Sequence, residues 1–201
     1  MIIGLTGTLC AGKGNLVKAL QEKRFNHFSV RKFLQKKGAK TRDEMVNLAN
    51  ELRAKKGPSY IAKQLFKQAE KSGGNSVIES LRNPAEVQAL RELGDFYLIG
   101  IDAPIEVRYD RSQIRASATD NVSFDEFKAH EQREMKSTDK TKQNISKCME
   151  MADYFFWADY SSPEIARAEF ATGKDGFLNL FDKDYKPSNK ASLYVFQLNF
   201  C

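Results

Sequence analysis

Cysteine is scarce in this chain, and what there is does not group. Cys10, Cys148 and Cys201 are odd in number and far apart, which argues against a disulfide framework and against a zinc site of paired thiols. Reduced thiols in a cytosolic compartment fit that pattern. No apolar run approaches the roughly twenty residues needed to cross a bilayer. The amino terminus enters a strand-like stretch without a basic leader, so a soluble, cytoplasmic protein with no membrane partner is expected. The excess of one charge is modest: 32 Lys and Arg against 26 Asp and Glu leave a net +6, which suits anionic ligands. No base-reading or stacking motif accompanies it, so nucleic acid is not an expected partner. Internal repeats and low-complexity tracts are absent, and nothing fixes the oligomeric state. With 201 residues and 41% hydrophobic content, the chain can bury one sizeable core.

What is present alternates between strand and helix signals. Met1 to Thr6 is an apolar run ended by Gly7, and from Gly14 the residues Leu16, Val17 and Leu20 take up a helical period. His27 to Val30 reads as a short strand. Met45, Leu48, Ala49 and Leu52 mark a helix from Thr41 that stops before Gly57-Pro58, and Ser59 to Ala69 continues helically. Asn75 to Glu79 and Asp95 to Asp102 read as buried strands, with a helix over Glu86 to Leu93 between them. Helices are predicted from Pro104 to Arg115 and from Ser123 to Met135, then a strand over Ala152 to Trp157 and a helix near Pro163 to Ala171. Strands separated by helices of this length need crossover connections, which imply a mainly parallel sheet covered on both faces.

Gly7-Thr8-Leu9-Cys10-Ala11-Gly12-Lys13 has the form G-x-x-x-x-G-K and lies directly between the first strand and the first helix. In such a loop, successive backbone N–H groups point inward, the helix behind adds its positive end, and the lysine reaches the outer phosphates. Many such loops follow the lysine with Ser or Thr to hold Mg²⁺. Here Gly14 and Asn15 follow; Gly14 cannot ligate a metal, and the Asn15 amide is a candidate for phosphate contact.

The run IIGLTGTLCAGKG, together with HFSVRKFL, ELRAKKGPSYIA, VIESLRNPAEV, IDAPIEVRYDR and SFDEFKAHEQREM, resembles the P-loop kinase-like domain at the front of certain deoxycytidylate-deaminase-like proteins. It is similar, more distantly, to archaeal adenylate-kinase-related proteins and dephospho-CoA kinases. The resemblance covers roughly residues 1 to 160. It implies a P-loop NTPase of the nucleoside-monophosphate-kinase type: an α/β three-layer sandwich with a mainly parallel five-stranded sheet and a helical lid. On this reading residues 1–172 form the kinase-like domain, with the lid at about 112–136. The aromatic-bearing tail 173–201 suits docking on the body or on another chain. The His-x-Glu and Pro-Cys-x-x-Cys elements of a zinc deaminase are absent, so no catalytic zinc is expected.

The resemblance also assigns candidate residues. ATP would lie on Gly7, Thr8, Leu9, Cys10, Ala11, Gly12, Lys13, Gly14 and Asn15, with Arg108 beside them. Glu79 and Arg82, at the end of a buried strand, resemble the acidic residue and arginine of monophosphate kinases, with Glu79 an outer-sphere partner for Mg²⁺ and no direct metal ligand. Ser29, Arg31, Glu79 and Arg82 are the expected acceptor-binding set. Arg108, Arg111 and Arg115 share one helix face, and Lys13, Arg82, Arg111 and Arg115 are the expected catalytic charges around the migrating phosphoryl group. Adenylate kinases have Asp where Lys32 stands and Arg where Gln35 stands, which counts against AMP as the acceptor. No carboxylate occurs between Phe25 and Lys40 to take a proton from an alcohol, which favours a monophosphate acceptor. The expected activity is an ATP-dependent nucleoside or deoxynucleoside monophosphate kinase with nucleotide substrates. The alternatives are a non-catalytic nucleotide-binding sensor or scaffold and, less favoured, a dephospho-CoA kinase.

Overall fold

Ile2–Gly7 (β1) occupies the middle of the sheet because both of its faces are apolar and both are covered. The computed structural model describes residues 1–115, 122–158 and the strand 195–196. Its strands are β1, Asn26–Ser29 (β2), Ser76–Glu79 (β3), Phe96–Asp102 (β4), Tyr154–Trp157 (β5) and Val195–Phe196 (β6). They lie in the order β2-β3-β1-β4-β5-β6. The first five are parallel, and β6 adds antiparallel to β5. The five-stranded parallel core is therefore as expected, and two residues of the tail close one edge.

The helices are Lys13–Glu22 (α1), Val30–Lys36 (α2), Arg42–Lys56 (α3), Tyr60–Ser72 (α4), Pro84–Leu93 (α5), Ile105–Arg115 (α6), Phe124–Met135 (α7) and Ile145–Glu150 (α8). Leu16, Val17, Ala19 and Leu20 of α1 pack on Ile3, Leu5, Val77 and Ile101 on one face of the sheet. Leu34, Met45, Ile61, Leu65, Val87 and Leu90 pack with Ile78 and Leu98 on the other. Each fully buried aliphatic side chain contributes about 1.5–3 kcal/mol relative to exposure, so the two clusters fix β1 from both sides.

Three helices begin with reciprocal capping boxes: Thr41 with Glu44, Asn83 with Glu86, and Ser123 with Glu126. Asn83 and Pro84 start α5 two residues earlier than the apolar spacing suggests, since the cap precedes the first periodic residue. Two short helices were not expected. α2 starts at Val30, where the strand ends, because the Ser29 side chain accepts from the Lys32 N–H; α8 has six residues, too few to display a period. The helix predicted near 163–171, most of the tail and part of the expected lid (116–121) lie outside the described residues. No helix among the described residues is long and apolar enough to cross a membrane.

Candidate functional site

The loop from Gly7 to Lys13 is set by two glycines. Gly7 has φ 130°, and a Cβ there would lie 1.9 Å from the carbonyl oxygen of Ile101, so no other residue fits against β4. Gly12, with φ 101°, turns the chain into α1. Ala11 points into the core, whereas Leu9 and Cys10 border the open side. Lys13 is only 8% exposed, and its Nζ donates to the carbonyls of Gly7 at 2.9 Å and Thr8 at 2.5 Å. Burial, and secondarily the charge of Arg82, lower its pKa to about 8, against a partial offset from Glu79, Cys10 and Asp102. Gly14 is exposed, with open space where a Cβ would stand, and Asn15 continues the helix.

Two residues brace the loop from behind. The Thr8 hydroxyl donates to Asp102 Oδ1, and the same carboxylate accepts from the Ala103 N–H at 2.8 Å. Arg108 donates to the Ala103 carbonyl at 2.7 Å, to the Leu9 carbonyl at 3.3 Å, and with both Nη atoms to Glu131. Arg108 was expected at the nucleotide. The structure instead places it behind the loop, buried, with its guanidinium engaged by protein oxygens. Arg111, expected among the catalytic charges, donates to the Ala158 carbonyl at 2.8 Å and does not border the cavity described next.

In front of the loop lies a cavity of about 130 Å³. Lys13, Ser29, Arg31, Glu79, Arg82 and Arg115, all expected site residues, border it together. Ser29 and Glu79 are register neighbours at the carboxyl ends of β2 and β3, where open α/β sheets bind their ligands. His27 Nε2 lies 3.0 Å from Glu79 Oε2. Burial acts to raise the Glu79 pKa, but the hydrogen bond and charge of His27, with Lys13 and Arg82, outweigh it and hold the carboxyl below its usual range. Ser80, next to it, takes a positive φ of 73°, a conformation uncommon for residues with a side chain.

Sequence reasoning missed the residues that hold the arginines. Glu134 of α7 accepts from Arg42 Nη2 at 2.6 Å through Oε1, and from Arg82 Nη1 through Oε2. Gln143 also accepts from Arg82, at 3.3 Å. Burial pulls the Arg42 guanidinium below its ordinary pKa, with Glu134 opposing. Deeper still, Arg53 donates twice to Glu86 Oε1, at 3.1 and 3.0 Å, while Glu86 Oε2 accepts from the N–H groups of Arg82 and Asn83. The capping residue of α5 thus fixes the backbone at Arg82. The arginine side chains and the groups that hold them lie 33 to 92 residues apart, beyond the reach of any local spacing.

The arrangement brings loop amides, one ammonium and several guanidiniums to one cavity, a donor set suited to phosphates. A family model described as an AAA domain matches residues 3–139. The chain is 33% identical over 131 residues to a UPF0200/UPF0201 protein of Archaeoglobus fulgidus, a match taking in 62% of this chain and 39% of that protein. It is 30% identical over 142 residues to a UPF0200 protein of Methanosarcina barkeri, covering 67% of this chain and 76% of that one. Among solved structures, a shikimate kinase from Bacteroides thetaiotaomicron superposes with a TM-score of 0.53 at 16% identity, over 83% of this chain and 94% of that one. A shikimate kinase from Acinetobacter baumannii in complex with shikimate gives 0.51 at 15% identity, over 89% and 91%. At those identities the likeness is one of fold. By its family match and its relatives, this P-loop kinase-like chain belongs to the AAA domain family and to the UPF0200 proteins.

Proposed function

We propose that the protein is an ATP-dependent phosphotransferase whose acceptor is the phosphate of a nucleoside or deoxynucleoside monophosphate. One observation carries this reading. Both carboxylates that border the cavity are already engaged by basic side chains, Glu79 by His27 and Glu134 by Arg42 and Arg82. An alcohol acceptor needs a base to take its proton, and the two carboxylates at this cavity are already committed to basic side chains. A phosphate acceptor is already ionised and needs none.

In the proposed reaction the loop amides and Lys13 hold the outer phosphates of ATP, and Arg82 and Arg42 hold the acceptor phosphate. An acceptor oxygen bonds to the γ-phosphorus as its bond to the β-γ bridging oxygen breaks, and ADP leaves. Arg31 and Arg115, bordering the same cavity, would neutralise charge on the moving group. The residues fit a hydrated Mg²⁺, since Glu79 is kept ionised and would accept from the ion's waters, while Gly14 offers no hydroxyl to bind it directly. When bound, the ion would neutralise phosphate charge. The kinase-like unit is taken as residues 1–172, with a lid at about 112–136 that closes over bound nucleotide. The likeness to the front domain of deoxycytidylate-deaminase-like proteins belongs to the same proposal and adds deoxycytidylate to the acceptors to be tried.

A second reading, a nucleotide-binding sensor that does not turn over, is favoured by Asn15, which stands where adenylate-kinase-like enzymes usually carry Thr. Measuring ADP released from ATP-Mg²⁺ across ribo- and deoxyribonucleoside monophosphates and dephospho-CoA separates the two. Stimulation by one monophosphate is the expected result. Confirmed ATP binding with no stimulation by any acceptor assigns the sensor reading instead, and stimulation by dephospho-CoA alone reverses the argument from the engaged carboxylates.

A further inference from the structure

Glu134 and Glu86 are buried to nearly the same degree, at 2% and 0% exposure, but they are held very differently. Glu86 accepts four hydrogen bonds, two from Arg53 and two from backbone N–H groups. Among the described residues Glu134 accepts two, one on each oxygen, and neither comes from the backbone. Its donors belong to different walls of the cavity: Arg42 opens α3 and Arg82 follows β3. Two guanidiniums converging on separate oxygens of one anion is the geometry in which proteins hold phosphate.

Resting on the reading of this cavity as an acceptor site, we propose that Glu134 stands in the place of the acceptor's phosphate, between Arg42 and Arg82, and must be displaced by it. Glu134 is then a specificity-determining residue that sets a charge threshold. A phosphate monoester brings up to two negative charges and three acceptor oxygens and wins the arginines from a carboxylate. A neutral nucleoside, lacking both, does not. Gln143 keeps its bond to Arg82 during the exchange. The displaced carboxylate carries with it the end of α7, whose nearby tie to α3 is the exposed pair Arg133–Asp43 at 2.8 Å.

The test is calorimetric titration of inorganic phosphate into the full chain with the P-loop filled by a non-hydrolysable ATP analogue, whose γ-phosphate fills the first position, so that phosphate reports on the second position alone. A site occupied by an internal competitor binds more weakly in proportion to the fraction of time it is open. Glu134→Gln is therefore expected to bind phosphate about tenfold tighter than the wild type or better, and adding Arg82→Gln to remove the gain. The thermal midpoint of Glu134→Gln falls without phosphate and recovers with it by more than the wild type's does, a dependence that a purely structural glutamate would not produce. Should Glu134→Gln not fold, Glu134→Asp keeps the charge but is one methylene too short to span both arginines, and tighter binding is expected there too. Equal affinity in wild type and variants overturns the role of Glu134 and leaves the acceptor reading standing. Tighter binding that survives Arg82→Gln overturns it as well, because the phosphate then sits elsewhere. Absence of phosphate binding in every variant, with the ATP analogue bound, overturns the acceptor reading itself.

Discussion

The hydroxyl of Thr8 donates to the carboxylate of Asp102, so the second residue of the phosphate loop hangs from the last residue of the strand beside it. The loop's shape is thus set partly by a residue outside its own motif. Thr8→Val keeps the volume and removes the donor. A hydrogen bond to a charged group contributes roughly 1.5–3 kcal/mol, and a loss of that size in urea unfolding, with weaker ADP binding, is the expected outcome. Unchanged stability would show that Asp102 is satisfied by the Ala103 N–H and by Arg108, whose Nε lies 3.5 Å from Oδ1.

Lys13 makes the unliganded fold pH-dependent in an unusual direction. Its pKa is about 8 in the folded chain against 10.5 for a free lysine. Between those values the unfolded chain holds a proton that the folded chain has released, so the fold gains stability as pH rises through the window. The full gain is about 3 kcal/mol. Phosphates select the ammonium, so nucleotide affinity falls over the same range and binding at pH 8.5 takes up protons. Calorimetry of ADP binding in two buffers of different ionisation enthalpy measures that uptake directly. Lys13→Ala should remove most turnover while the far-ultraviolet circular dichroism is unchanged; retained turnover would take the loop out of the mechanism.

The Arg53–Glu86 pair should be costly to break from one side. Both side chains are buried, and removing one partner of such a pair costs about 3–5 kcal/mol because the other charge is stranded. Arg53→Met is expected to lose that much in denaturant and to lower kcat, since Glu86 also fixes the backbone of Arg82. A double-mutant cycle with Glu86→Gln should give a coupling above ~1 kcal/mol; simple additivity would mean that the two residues act separately.

Gly14 has room for a side chain and no need of a positive φ. Gly14→Ser should therefore fold, gain about 0.5 kcal/mol from helix propensity, and tighten ATP binding in Mg²⁺ more than in EDTA. An equal change with and without the ion would show that the new hydroxyl does not face it.

Much of this was legible because local chemistry dictated it. β1, β3 and β4 are apolar on both faces, the phosphate loop has its glycines where the backbone demands them, and Thr41 and Ser123 begin helices that their capping boxes explain. The expected site residues Lys13, Ser29, Arg31, Glu79, Arg82 and Arg115 meet at one cavity. What could not be read was pairing at a distance. Arg108, Arg111 and Arg115 share a helical spacing, which says that they face alike but not what they meet; Arg108 meets backbone carbonyls and Glu131, Arg111 a carbonyl of residue 158, and Arg115 the cavity. Glu134 and Asp102 became recognisable only once the fold had placed them beside Arg82 and Thr8.

The position of β1 in the middle of the sheet has a consequence for synthesis. The loop that follows it is complete by Lys13, yet the partner that braces it is 94 residues downstream, and the carboxylate that gathers Arg42 is 92 residues beyond that arginine. A nascent chain still lacking β4 on the ribosome carries the whole motif with no strand on that side to hold it. Nucleotide can therefore steady the growing chain only late, after Asp102 has left the exit tunnel, and the early part of translation proceeds without help from the ligand.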